Sequence, residues 1–232
     1  GNILNSAPFE ERDQFVHSQK INRFISLYAN AGYAYDDKYL ITGSIRWDQS
    51  NLWGTSSKYQ NTPIWSAGAG WNIHKESFFR TEWVDQLKLR VSHGIGGNIY
   101  SNRAPFLTAY YNQNYNVGGL SGGVNSRPNP LLSWEKTSTT NLGVDFGLFT
   151  NRVSGTLDYY RRIGKDLLAN TQGNPTEGFG YSTYSINNGE MVNKGIELSL
   201  SGDVISSKEL NWNLAIQYAF NKNRVTYVNI EA

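Results

Sequence analysis

From Trp134 to Phe146 the chain alternates without a break. Thr140, Leu142, Val144 and Phe146 fall on one face, and Asn141, Gly143 and Asp145 on the other. A period of two is the mark of a β-strand with one apolar and one polar side. After a short turn, Gly147–Arg152, a second alternating run covers Val153–Ile163. Strands in globular proteins are typically about 5–6 residues long, so runs of this length need another environment. A tilted strand crossing a bilayer needs about 9–11 residues plus polar ends.

The same pattern recurs along the chain. Residues 1–20 are polar and irregular and read as loop. Alternation begins near Arg23 and runs to Tyr35, where Asp36-Asp37 makes a tight turn; aspartates favour turns because their carboxylates bond nearby backbone amides. Lys38–Asp48 follows, then Trp65–Ile73 and Leu87–Ile95, with His93 interrupting an apolar face. In Glu76–Gln86 the four-residue spacing of Phe79 and Trp83 predicts a short helix. After the long hairpin, Glu190–Ser201 and Leu210–Phe220 complete a set of eight strands. Short turns (36–37, 147–152, 202–209) and an intermediate one (75–86) alternate with long loops (49–63, 96–133, 164–189). Strands running up and down put every long loop at one end, the asymmetry of outer-membrane barrels. A soluble sandwich gives no reason for it.

Aromatic spacing agrees with a membrane barrel. Tyr39 and Trp47 lie eight residues apart on one face, as do Trp212 and Phe220. Eight residues span roughly 26 Å, or roughly 20 Å after tilting, against an apolar band of about 25 Å between aromatic girdles. Composition fits as well: 14% aromatic with only 39% hydrophobic residues suits strands that show one face to lipid and one to water. No run of 18 apolar residues exists to form a membrane helix. The balance of 21 basic and 19 acidic residues offers no footprint for nucleic acid. No cysteine is present, which excludes disulfides and thiolate chemistry. Gly1 opens on polar sequence without a secretory signal, so either a leader was removed or the chain is an internal piece.

Motifs for catalysis do not hold up. Gly119-Leu120-Ser121-Gly122-Gly123 matches the nucleophile-elbow pattern, but glycine- and asparagine-rich sequence flanks it and all three histidines precede Ser121, against the order that chemistry uses; it reads as a flexible loop tip. His17, His74 and His93 are too scattered to ligate a metal. Gly94-Ile95-Gly96-Gly97 lacks the third glycine and the helix of a dinucleotide site. Asp145, Asp158, Glu190 and Glu197 are polar-face carboxylates that spacing alone does not pair. The chain is therefore read as no enzyme, with no catalytic residues, no cofactor and no metal. The candidate contacts for a substrate or partner are the loop aromatics Trp53, Tyr110, Tyr111 and Tyr115, whose rings offer flat apolar area with a polar edge.

Several segments, in order, resemble the barrel of SusC/RagA-type TonB-dependent transporters of the Bacteroidetes. They include Tyr35-Asp36-Asp37-Lys38-Tyr39-Leu40 with Arg46-Trp47-Asp48, and Ser66–Trp71 followed by Glu76-Ser77-Phe78-Phe79. Leu87-Lys88-Leu89-Arg90 with Gly97-Asn98 comes next, then Asn129-Pro130 with Trp134-Glu135-Lys136-Thr137. Asp158-Tyr159-Tyr160, Lys165-Asp166-Leu167-Leu168, Asn193–Glu197 and Tyr218–Asn223 close the series. The resemblance implies an all-β, antiparallel, up-and-down transmembrane barrel of about 22 strands, of which residues 1–232 would supply about eight and neither plug nor TonB-contacting segment. It further implies TonB-energised import of oligosaccharides or peptides across the outer membrane of a Gram-negative bacterium. A SusD-like surface lipoprotein, outer-membrane lipid and, through parts absent here, the TonB complex would be the partners. Two other readings of the residues stay open: a complete eight-stranded structural or adhesion barrel, and a soluble sugar-binding β-sandwich.

Overall fold

A strand's backbone donors and acceptors point sideways, so each of these long alternating runs needs a neighbour on both flanks. The computed structural model describes residues 23–50, 63–98, 108–114, 118–126, 129, 132–174, 176 and 183–228. Among the described residues there are ten strands: β1 (Phe24–Tyr35), β2 (Tyr39–Ser50), β3 (Ile64–Asn72), β4 (Val84–Asn98), β5 (Thr108–Asn114), β6 (Gly119–Ser126), β7 (Glu135–Leu148), β8 (Val153–Gln172), β9 (Thr183–Ser206) and β10 (Asn211–Val228). Eight of them form one antiparallel sheet in the order β1-β2-β3-β4-β7-β8-β9-β10, and β5 and β6 pair separately as a hairpin. The expected eight long strands are all present. β1 and β10 do not pair with each other, so the sheet is an open arc and the closed eight-stranded barrel is set aside.

Three expectations need correction. No helix forms in 76–86; a 3-10 turn at Ile73–Lys75 precedes irregular chain, and β4 begins at Val84. The backbone there bonds elsewhere: the Trp83 carbonyl accepts from the Phe149 amide (2.9 Å), and the two rings stack at 6.1 Å. The stretch 96–133 is not all loop, since it holds the β5–β6 hairpin. Nor is 164–189 a loop: β8 runs on to Gln172 and β9 starts at Thr183, past register shifts near Leu167.

Turn chemistry sets the short-turn end. Asp36 and Asp37 both take positive φ (51° and 50°) in the connection 36–38, where the Lys38 amide donates to the Tyr35 carbonyl at 3.0 Å and Tyr35 pairs with Tyr39; paired positive φ values suit a tight hairpin matched to strand twist. Phe149, Thr150 and Asn151 do the same between β7 and β8 (57°, 60° and 57°). The connections β2–β3, β4–β7 and β8–β9 leave from the opposite end.

Register turns the alternation of each strand into belts across the sheet. One row reads Tyr33, Ile41, Ala69, Val91, Leu142, Tyr159, Ile196, Phe220, and the next Tyr35, Tyr39, Trp71, Leu89, Val144, Leu157, Leu198, Tyr218. Both are apolar on all eight strands. The opposite face carries Thr42, Gly68, Ser92, Asn141, Tyr160, Gly195 and Asn221 in one row. No large side chain is fully buried among the described residues, and Ile41, Val91, Leu142, Ile196 and Phe220 are all exposed. A single layer with one uncovered apolar face suits hydrocarbon, not water.

At the short-turn end aromatic rings gather. Tyr35, Tyr39, Trp71 and Phe78 stand in sequence at centroid distances of 6.5, 6.4 and 6.4 Å. Their polar edges meet Glu76: the Tyr39 hydroxyl donates to its Oε1 at 2.5 Å and Trp71 Nε1 at 2.9 Å. Rings with an apolar body and a polar edge are the usual occupants of a membrane–water boundary. These two donors hold the Glu76 carboxyl below its ordinary 4.5.

Two outcomes are expected. Ile216, opposite Leu200, and its neighbour Gln217, opposite Ser199, point to opposite faces. Ile216→Arg is expected to cost about 2–4 kcal/mol on a lipid face and to impair assembly far more than Gln217→Arg, read as heat-modifiable mobility of the full-length protein; equal tolerance would defeat the assignment of faces. A carboxyl whose folded pKa is depressed contributes stability above its unfolded pKa and loses it as pH falls through the lowered folded value. The gap in thermal midpoint between wild type and Glu76→Gln should therefore be full at neutral pH and close below about pH 4.5. A gap that is constant with pH would refute the Glu76 contacts.

Candidate functional site

The polar face holds a side-chain network that crosses three strands. Arg90 on β4 reaches Asp145 on β7 through both Nε (2.8 Å to Oδ2) and Nη2 (2.7 Å to Oδ1), and its Nη2 also reaches Asp158 on β8 at 3.1 Å. Gly143 lies directly between them, paired with Arg90 on one side and Asp158 on the other. A Cβ at Gly143 would meet Asp158 Oδ1 at 2.5 Å and Arg90 Cζ at 2.8 Å, so the glycine leaves the lane through which the guanidinium crosses. One row on, Tyr160 passes over Gly195, where a Cβ would lie 2.6 Å from its hydroxyl, and accepts from Asn221 Nδ2 at 2.8 Å. Arg162 lies over the Tyr160 ring at 4.8 Å. The wall is thus polar but cross-tied, with bidentate charge-assisted bonds of the stronger kind.

At the long-connection end a strap holds the β8–β9 extension. Asn187 on β9 accepts from the Ser133 amide (2.9 Å) and donates to the carbonyls of Ser133 (3.0 Å) and Asp166 (2.7 Å). Glu135 accepts from the Leu168 amide at 2.9 Å, and Asn129 Nδ2 donates to the Ser185 carbonyl at 2.9 Å. Leu132 and Trp134, with Tyr160, are the buried hydrophobic residues of the described chain. Trp134 lies on Gly97 of β4, where a Cβ would collide with its ring. Asp166 takes φ 56° inside β8, where the ladder shifts register, and its carbonyl is one that Asn187 captures. Glu135 and Leu168 therefore meet directly, and Ser133 and Asp166 meet through Asn187.

Of the four candidate contact residues, Trp53 and Tyr115 lie outside the described residues. Tyr110 and Tyr111 stand side by side on β5, opposite Gly123 and Gly122 of β6, and both are exposed. Successive strand residues point to opposite faces, so the hairpin presents one ring on each side. Gly119–Gly123 is strand β6, not a loop tip, and Ser121 pairs with Asn112; it has no elbow geometry. Sequence reasoning missed the ties of Asp145 and Asp158. The Phe149–Arg152 turn fixes their relation across the hairpin and was readable, but the partner Arg90 reaches them across a 36-residue connection whose register no local signal sets.

Comparison with known proteins agrees with this architecture. The family model for the β-barrel of TonB-dependent receptor-like proteins matches residues 2–231. TonB-dependent receptor P39 of Formosa agariphila is 34% identical over 202 residues, covering 86% of this chain and 19% of that protein. TonB-dependent receptor SusC of Bacteroides thetaiotaomicron is 32% identical over 225 residues, covering 93% of this chain and 22% of SusC. Among solved structures, the RagAB peptide transporter superposes with a TM-score of 0.78 at 28% identity, over 89% of this chain and 22% of that one. The FrpB iron transporter of Neisseria meningitidis shares the fold (TM-score 0.58, 16% identity). The chain spans about a fifth of the length of the curated relatives it matches.

The Gly143 lane is testable. Gly143→Val should displace Arg90 from Asp158 and cost about 1.5–3 kcal/mol, the range for a lost hydrogen bond to a charged group. Combined with Asp158→Asn its added cost should shrink, because both changes cut the same tie. Fully additive denaturant midpoints for the full-length protein would refute the lane.

Proposed function

This chain belongs to the TonB-dependent receptor-like β-barrel family, as the barrel portion of a SusC/RagA-type transporter, and we propose that residues 1–232 form one sector of the wall of an outer-membrane importer in a Gram-negative bacterium. The observation that carries the reading is the pair of faces: two unbroken apolar rows across eight strands, backed by a polar, cross-tied wall. An unclosed sheet cannot rest in hydrocarbon with bare backbone edges, so β1 and β10 would each pair with a further strand of the barrel. Import would be energised through TonB, and the cargo would be an oligosaccharide or a peptide; the likeness to a peptide transporter supports the latter. A SusD-like surface lipoprotein would cover the mouth.

The long connections share one end of the sheet, and that end is the extracellular mouth in this reading, since the short turns of such barrels face the periplasm. The β5–β6 hairpin would stand there with Tyr110 and Tyr111 exposed, and Trp53 and Tyr115 belong to connections at the same end. Aromatic anchors commonly carry most of the energy of an interface. The polar wall would line the path without itself doing chemistry; TonB-dependent receptors are not enzymes as a family, and no catalytic step is assigned.

Deleting Asn112–Asn125 from the full-length protein tests the contact role. The expected result is normal insertion with loss of lipoprotein association, uptake or both. Loss of uptake alone would make the cargo the partner of the hairpin. Wild-type levels of both would sink the proposed role of the longest connection.

A further inference from the structure

The apolar belt is interrupted on three strands. The row after Tyr159, Ile196 and Phe220 on the same face is Arg161 on β8, Lys194 on β9 and Lys222 on β10, each directly opposite the next. One step further along β10 on that face stands Arg224, opposite Val192. All four are exposed. Their side chains have no ion-pair partner among the described residues, whereas Arg46, Arg90, Lys38, Lys75 and Lys136 each have one. The carboxylates of Asp158 and Glu197 project to the other face, and Asp166 and Glu190 lie further along the strands towards the long connection.

Like charges placed directly opposite one another repel, so an unrelieved row of three is expected to have an anion nearby. Position says which kind. Out-facing residues alternate every second position, so the cations begin about 7 Å along the strand beyond the last row that is apolar on all eight strands, with Ile163 and Val192 following them on β8 and β9. They lie on the side away from the short turns, hence at the headgroups of the outer leaflet if this face meets lipid. Near the corresponding end of β1 and β2 the out-facing residues are Ile25, Leu27, Trp47 and Gln49. Two rows on from Arg161, Lys165 of β8 faces Lys136 of β7, and Lys136 is paired with Asp166; the charge is therefore a local patch on β7–β10 whose unpaired row of three lies on β8–β10, not a uniform collar.

We propose that Arg161, Lys194, Lys222 and Arg224 form a docking site for the phosphate groups of a phosphorylated glycolipid of the outer leaflet. The apolar row beneath them packs its acyl chains. Phosphate oxygens accept several charge-assisted hydrogen bonds at once, and adjacent cations on a flat sheet face suit a headgroup bearing more than one acceptor. This rests on the reading of the apolar face as lipid-facing, and assembly of the barrel is scored separately so that the two can fail independently.

The test uses the full-length protein in detergent, with phosphorylated lipid A and its dephosphorylated counterpart as probes and bound lipid counted by native mass spectrometry. Wild type should bind the phosphorylated lipid about tenfold or more tightly than the dephosphorylated one, and the triple change Arg161→Gln, Lys194→Gln, Lys222→Gln should abolish that preference. The charge-preserving set Arg161→Lys, Lys194→Arg, Lys222→Arg should keep it, as should Arg162→Gln on the opposite face. If the triple variant does not assemble, the three single variants should each show a partial loss. Equal binding of both lipids, an unchanged preference in the triple variant, equal affinity for inorganic phosphate alone, or loss of lipoprotein association with lipid binding intact would each overturn the assignment.

Discussion

Every feature of this sheet depends on the ladder of backbone hydrogen bonds between long antiparallel strands. In a globular protein the ladder is reinforced by a packed core. Among the described residues there is no such core: the buried hydrophobic ones are three, and they sit near the strap and on the inner wall, not between layers. What stabilises a single layer of this kind is an apolar surround, in which a broken backbone bond costs several kcal/mol because nothing else can satisfy it. That same requirement makes the two edge strands the strongest argument that the wall continues beyond this arc.

With the ladder as frame, the two faces follow different rules. Outward, side chains need only be apolar and fill space, and the rows mix Tyr, Ile, Ala, Val and Leu freely. Inward, polar groups must satisfy one another or meet water. Here glycine does structural work by absence: Gly143 and Gly195 let Arg90 and Tyr160 reach a strand beyond their immediate neighbour. Such ties join β4 to β8 and β8 to β10, supplementing pairwise ladders with links that skip a strand. The strap adds a third device. By bonding β9 at Asn187 and β8 at Leu168, Ser133 and Glu135 let those two strands keep their pairing beyond the apolar belt.

The long-connection end is where reading and structure diverged most. Residues 164–189 look like loop because Asp166, the asparagines and the glycines break alternation. The bulge at Asp166–Leu167 changes the phase of the pattern without ending the strand, and a phase change reads as disorder when only periodicity is consulted. The β5–β6 hairpin was hidden for a related reason: its glycine-rich β6 has too few side chains to alternate, and its pairing with the tyrosines of β5 is visible only in three dimensions.

By itself the sequence determined which residues share a face, the number of long strands, the tight turns at Asp36-Asp37 and after Leu148, and therefore the class of environment the chain is built for. These are local properties, set by a two-residue period and by turns short enough to dictate register on both sides. Only the tertiary structure decided what lies beside what across the long connections: that β4 neighbours β7, that Arg90 meets Asp145 and Asp158, that the strap grips β9, and that Arg161, Lys194 and Lys222 align in one row. A connection of dozens of residues allows many registers at little difference in entropy. The choice among them falls to the summed cross-strand contacts of the whole sheet.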